Sequence, residues 1–282
     1  MTRPLVPGSI VDTHTHTSFS DGVGTFEDNA AAAVAAGCAV LVSTDHLTLP
    51  TAMDPEGIAQ VVESELPACR SEWEAARDAH PEIEMVFGFE ADWYPGCERG
   101  VRRWADSVGA QILLGSVHWL GDPENGAWID DIDDLRVWRE LGPDEVWRRY
   151  AATWCRACES TLAFDTMSHP DLAMRFVNAG FAPTIDLVPI WDEMVACARD
   201  MGRRVELSTA GLRKGVGDYY PARRLLERFC RAGVPITVGS DAHAPSDVCD
   251  GIRGAYAHAW DVGYRAVEVP RASGDWESMP LR

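Results

Sequence analysis

Short apolar runs recur seven times along the chain, and six of them end on histidines or carboxylates. They read "SIVDTHTH", "AVLVSTDH", "IEMVFGFEAD", "AQILLGSVHWL", "AFDTMSHPDL", "RRVELSTAGLRK" and "VPITVGSDAH". Helical segments separate them. In "TFEDNAAAAVAAG", Thr25 is the predicted N-cap, Asp28 sits at N3 and Gly37 ends the helix. Further helices are predicted over Pro55–Ala79, near Val101–Ser107, from Pro143 to about Ser160, in "DLVPIWDEMVACARDMG" and in "ARRLLERFCRAG". Strands alternating with helices produce a parallel sheet, and seven such units suit a closed or nearly closed α/β barrel. One domain over residues 1–269 follows, and the tail at 270–282 is expected to be weakly ordered.

In a parallel barrel all strand C-termini open on one face, where active sites lie. His14 and His16 end the first run, and side chains two apart on a strand share a face. Asp45 and His46 end the second, Glu90 the third, His118 the fourth, His169 the fifth, and Asp241 and His243 the last. Asp21, just beyond the first run, can reach the same mouth. Imidazoles mixed with carboxylates suit zinc, iron or manganese. Nine candidates (His14, His16, Asp21, His46, Glu90, His118, His169, Asp241 and His243) exceed one tetrahedral site and point to two or three metals. Glu90 is the natural bridging carboxylate. Asp45 is expected to orient a neighbouring imidazole rather than to ligate, and Asp12 to be structural. His80 and His258 receive no role.

The net charge of −19, from 25 basic and 44 acidic residues, argues against nucleic acid or an anionic membrane as partner. It also means that an anionic substrate needs a local positive centre, which bound cations provide. No apolar signal core opens the chain, which predicts a cytoplasmic protein. The one close cysteine pair, Cys155 and Cys158 in "CRAC", reads as two reduced thiols on a helix.

The segments "HTHTSFSDG", "STDH", "GFEAD", "GSVHW", "SHPDL" and "GSDAH" resemble the PHP (polymerase and histidinol phosphatase) superfamily in order and content. "GSVHW" with "ELSTAGLRKGVGDYYP" is most similar to the histidinol-phosphatase branch, which carries Asn-Thr-Ser-Gly-Leu-Arg where this chain has Ser208 to Arg213. The resemblance implies a distorted (β/α)7 TIM-like barrel and three divalent metal ions (Zn, Fe or Mn). His14, His16, Glu90 and Asp241 would hold the first, Glu90, His118 and His169 the second, and Asp21, His46 and His243 the third. The implied activity is hydrolysis of L-histidinol phosphate in histidine biosynthesis, by attack of a hydroxide bridging the metals. Glu90, Asp241 and His243 are the expected catalytic residues. A metal-bound water, Asp45 or Asp241 can supply the proton to the leaving group. Arg213 is the expected phosphate clamp, with Lys214 pointing elsewhere, and the acidic run "DDIDD" is a candidate for attracting the cationic end of the substrate. A PHP phosphoesterase acting on a nucleotide or another small phosphomonoester is the alternative.

Overall fold

The computed structural model describes residues 4–282. Seven parallel strands follow one another around a barrel: β1 (Ile10–Asp12), β2 (Cys38–Ser43), β3 (Glu84–Asp92), β4 (Ile112–Ser116), β5 (Thr166–Met167), β6 (Arg204–Ser208) and β7 (Ile236–Gly239). A two-residue strand, His46–Leu47, adds to β3 with His46 level with Glu90. The ring nearly closes between its first and last strands. There the Asp241 N–H donates to the His14 carbonyl at 2.9 Å, and the His16 N–H donates to the Ala242 carbonyl at 2.8 Å. Val40, Leu41 and Val42 of β2 are all fully buried. That explains why the runs are continuously apolar rather than alternating: a barrel strand is covered on both faces.

Seven longer helices wrap the barrel: α1 (Phe26–Ala36), α2 (Leu66–Ala79), α3 (Glu98–Ser107), α4 (Pro143–Glu159), α5 (Val188–Asp200), α6 (Arg223–Arg231) and α7 (Ile252–Val262). Thr25 and Asp28 form the reciprocal capping box at the start of α1, and Gly37 ends that helix in the left-handed conformation at φ 72°. Among the described residues no helix is long and apolar enough to cross a membrane, and the eight cysteines, Cys155 and Cys158 of α4 included, are free thiols.

Two expectations about elements need correction. The helix predicted from Pro55 begins only at Leu66. Asp54 accepts the N–H groups of Ile58 and Ala59, and the side-chain amide of Gln60, at 2.9–3.0 Å. The carboxylate thus takes donors that helix formation would need and holds residues 48–60 as a loop over the mouth. The C-terminal tail, expected to be weakly ordered, forms strand β9 (Trp276–Pro280) antiparallel to β8 (Ala266–Pro270). Met279 is fully buried beside Val267 and Val269, and Arg271 pairs with Glu84 and Glu277, so the tail belongs to the domain.

Candidate metal centre

All nine candidate ligand residues meet at the C-terminal mouth of the barrel. Among the described residues, ligand-type atoms gather there in four overlapping groups: His14, His16 and Asp241; His16, Asp21, His46 and His243; His46, His118 and the neighbouring Asp92; and Glu90, His118 and His169. Glu90 at the end of β3 stands between them. Its Oε1 lies 2.9 Å from His169 Nε2, and its Oε2 lies 3.1 Å from His14 Nε2 and 3.4 Å from both His16 Nε2 and His46 Nδ1. Asp241 Oδ1 lies 3.4 Å from His16 Nε2, and Asp21 Oδ2 lies 3.2 Å from His243 Nε2.

Several imidazoles are aimed from behind. His14 Nδ1 is 2.8 Å from Glu206 Oε1, His118 Nδ1 is 2.8 Å from Asp92 Oδ2, and His243 Nδ1 is 3.1 Å from the Asp241 carbonyl. An acceptor on Nδ1 fixes the tautomer and leaves Nε2 as a free lone pair facing the mouth. Backbone strain gathers in the same place. Asp241 adopts φ 53° and His169 φ 21°, in a region that costs a non-glycine residue ~1–3 kcal/mol.

The charges are those of a site assembled around cations. Burial alone would raise the Glu90 and Asp241 pKa values, yet the surrounding imidazoles, with Lys214 for Asp241, hold both well below the ordinary range. Burial would lower the His16 and His118 values. Asp241 and Glu90 nevertheless push His16 up to about 9, and Asp92 pushes His118 up to about 10. His46 goes the other way, to about 4, because burial outweighs Asp21 and Glu90. Two details fit metal ions and little else. His14 Nε2 and His16 Nε2 face each other at 3.0 Å, where at most one proton fits between them. The buried Nδ1 atom of neutral His46, 3.4 Å from Glu90 Oε2, makes no hydrogen bond, a cost of about 1–3 kcal/mol unless a cation accepts its lone pair.

Comparison with known proteins agrees with this geometry. The PHP domain model matches residues 12–210. The chain belongs to the PHP family. It is 31% identical over 261 residues to the Deinococcus radiodurans protein named "Probable histidinol-phosphatase", covering 92% of this chain and 95% of that one. Its fold is shared with HisK from Listeria monocytogenes (TM-score 0.77, 20% identity, 86% of this chain and 98% of that one). It is shared equally with histidinol phosphate phosphatase from Lactococcus lactis, solved with zinc, L-histidinol and phosphate (TM-score 0.75, 18% identity, 95% of this chain and 99% of that one).

Within this PHP site the two basic residues after β6 exchange their expected places. Arg213, expected as the phosphate clamp, is turned into the protein. Its guanidinium donates to the Ser240 and Asp241 carbonyls and to Thr209 Oγ1, and it pairs with Asp247 and Asp250. Lys214, expected to point away, lines the mouth and donates to Asp241 Oδ2 at 3.0 Å. Arg213 is the last residue of the single helical turn 210–213 and Lys214 its C-cap, where the backbone leaves the helix and the two side chains part.

Asp45 orients no imidazole; it accepts from Thr17 N–H and Oγ1 and from Ser20 Oγ, shaping the loop that carries Asp21. Asp12 is structural, as expected. It accepts from Ser240 N–H and Oγ and from Cys249 N–H. Glu206 and Asp92 were missed. Asp92 shares a strand face with Glu90, and Glu206 is a lone acid within an apolar strand; both signals stand in the sequence.

Proposed function

We propose that this protein is a histidinol-phosphatase: a metal-dependent phosphomonoesterase that hydrolyses L-histidinol phosphate to L-histidinol and phosphate. The observation that carries the reading is the shared carboxylate Glu90, whose two oxygens face separate imidazole groups at one barrel mouth. Three divalent ions, of zinc, manganese or iron, fit the donor set: His14, His16, Glu90 and Asp241 for one, Glu90, His118 and His169 for the second, Asp21, His46 and His243 for the third. Bound there, such ions make water a nucleophile at neutral pH and neutralise phosphoryl charge.

The chain's own residues do the rest. Lys214 sets a positive charge beside the ligands in an otherwise acidic protein, where it binds a phosphoryl oxygen. Asp241 holds the pKa of Lys214 above the ordinary value against burial, so Lys214 acts as a charge and not as a proton source. Asp241 Oδ2 holds the Lys214 ammonium at 3.0 Å beside the ligand groups, while its Oδ1 faces His16 Nε2. His243 keeps Asp21 aligned at the rim. The cavity lined by these residues is about 210 Å³, below the ~300–1,000 Å³ of drug-sized sites, which suits a small ester over a polymer. Free thiols suit the cytoplasm, where histidine biosynthesis would run.

Phosphate release from L-histidinol phosphate, AMP and p-nitrophenyl phosphate, by protein loaded with manganese or zinc, tests the assignment. We expect the highest kcat/KM on L-histidinol phosphate. Higher kcat/KM on AMP would favour a nucleotide phosphatase, and no release from any ester would exclude phosphomonoesterase activity.

A further inference from the structure

Of the acidic run after β4, one carboxylate enters the mouth. The short hairpin Trp119–Leu120 with Ala127–Trp128 carries the chain back over the site, and Asp130 follows it into the cavity wall. Of the other acids, Asp131 accepts the Asp133 N–H at 2.8 Å, Asp134 pairs with Arg136 and Asp133 is exposed. Asp130 is held firmly. Trp128 Nε1 donates to its Oδ1. Its neighbour Ile129 is fully buried, donates its N–H to the His118 carbonyl at 3.0 Å and accepts from Trp138 Nε1 at 2.9 Å.

Around Asp130 the cavity is divided chemically. The ligand residues and Lys214 form one part of its wall, while Leu49, Met53, Ala59 and Trp128 form an apolar part. Asp130 is in no ion pair with Lys, Arg or His among the described residues, and Lys214 is already engaged by Asp241. Asp130 feels Lys214 and His118 across the cavity but touches neither, and a carboxylate fixed beside an apolar wall without a contacting cation is matched by a ligand that brings one. Building on the phosphatase reading, we propose that Asp130 is a specificity-determining residue: it receives the ammonium group of a cationic phosphomonoester while the apolar wall takes the ester's ring.

The test compares L-histidinol phosphate with its deamino analogue, 3-(imidazol-4-yl)propyl phosphate, in the metal-loaded enzyme. Wild type should favour the amino ester by about 10- to 100-fold in kcat/KM, the scale of a hydrogen bond to a charged group. In Asp130→Asn the ratio should fall to about one, mainly through KM, whereas the exposed control Asp133→Asn should keep it. A ratio unchanged in Asp130→Asn, or no preference in wild type, would overturn the proposal. Calorimetric binding of L-histidinol separates this claim from the phosphatase reading. If neither ester is hydrolysed the phosphatase reading fails, and weaker L-histidinol binding by Asp130→Asn than by wild type still supports the Asp130 site. Equal binding, or none by wild type, refutes it.

Discussion

Glu206 and Asp92 work from one shell behind the mouth. Each accepts from the rear nitrogen of an imidazole and so decides which nitrogen faces the metals. Replacing either by its amide keeps the shape but loses the fixed tautomer and the charge. We expect Glu206→Gln and Asp92→Asn each to weaken metal binding by about 10- to 100-fold, measured by competition with a chelating dye. An unchanged affinity would show that those imidazoles do not ligate. At the paired basic residues the expected outcomes differ in kind. Lys214→Ala should lower kcat/KM at least ~10-fold through KM with metal content retained. Arg213→Ala should instead weaken metal loading, because Arg213 ties down the Ser240 and Asp241 carbonyls. Residue type in "LRK" favoured Arg213; only the contacts of the two side chains, Lys214 with Asp241 Oδ2 and Arg213 with the Ser240 carbonyl, reveal which lines the mouth.

Among the elements, the barrel strands were the most legible. Each apolar run maps onto a strand or its C-terminal loop, because burial on both faces enforces continuous hydrophobicity. The loop over the mouth was not legible. The Glu- and Ala-rich stretch 55–79 as a whole favours helix, which draws residues 55–60 in with it, and the Asp54 contacts that prevent helix there span only residues 58–60. The tail was missed for a related reason, since its strand gains stability from pairing and from burying Met279, neither of which is local. Close strand approach offers a test at this scale. A Cβ on Gly239 of β7 would collide with Glu206 Oε1 and lie 2.6 Å from His14 Cβ. Gly239→Ala should therefore push the Glu206–His14 pair apart, at about 1–3 kcal/mol for overpacking. Thermal denaturation should show a Tm lower by roughly 2–10 °C, with metal affinity reduced in parallel. A Tm at the wild-type value with full metal affinity would mean that β1 and β7 do not meet as described.

For the whole molecule, the mouth is a proton store when metals are absent. Raised pKa values mean that the imidazolium forms of His16 and His118 stabilise the metal-free fold below their unfolded pKa of 6.5, a contribution lost as pH rises through about 9 and 10. Metals require neutral imidazoles, so loading near pH 7 must expel these protons, whereas His46, at about 4, is already neutral. Apparent metal affinity should rise with pH over this range. Calorimetry in buffers of different ionisation enthalpy should find at least two protons released per chain, from His118 and from the His14–His16 pair, both of whose values are raised by the surrounding carboxylates. No release would remove both from the ligand set. The sequence showed that nine polar residues share one mouth. It could not show how they divide into groups, because that depends on side-chain directions set by Glu206, Asp92 and the closing contacts of β1 with β7.

The central claim is that these side chains hold three metals around Glu90. Native mass spectrometry of the chelated protein, reloaded with manganese or zinc, measures it directly. The expected spectrum shows three ions per chain in the wild type and a loss of at least one in Glu90→Gln. A wild type that binds one ion or none, or a Glu90→Gln variant that keeps all three, would contradict it.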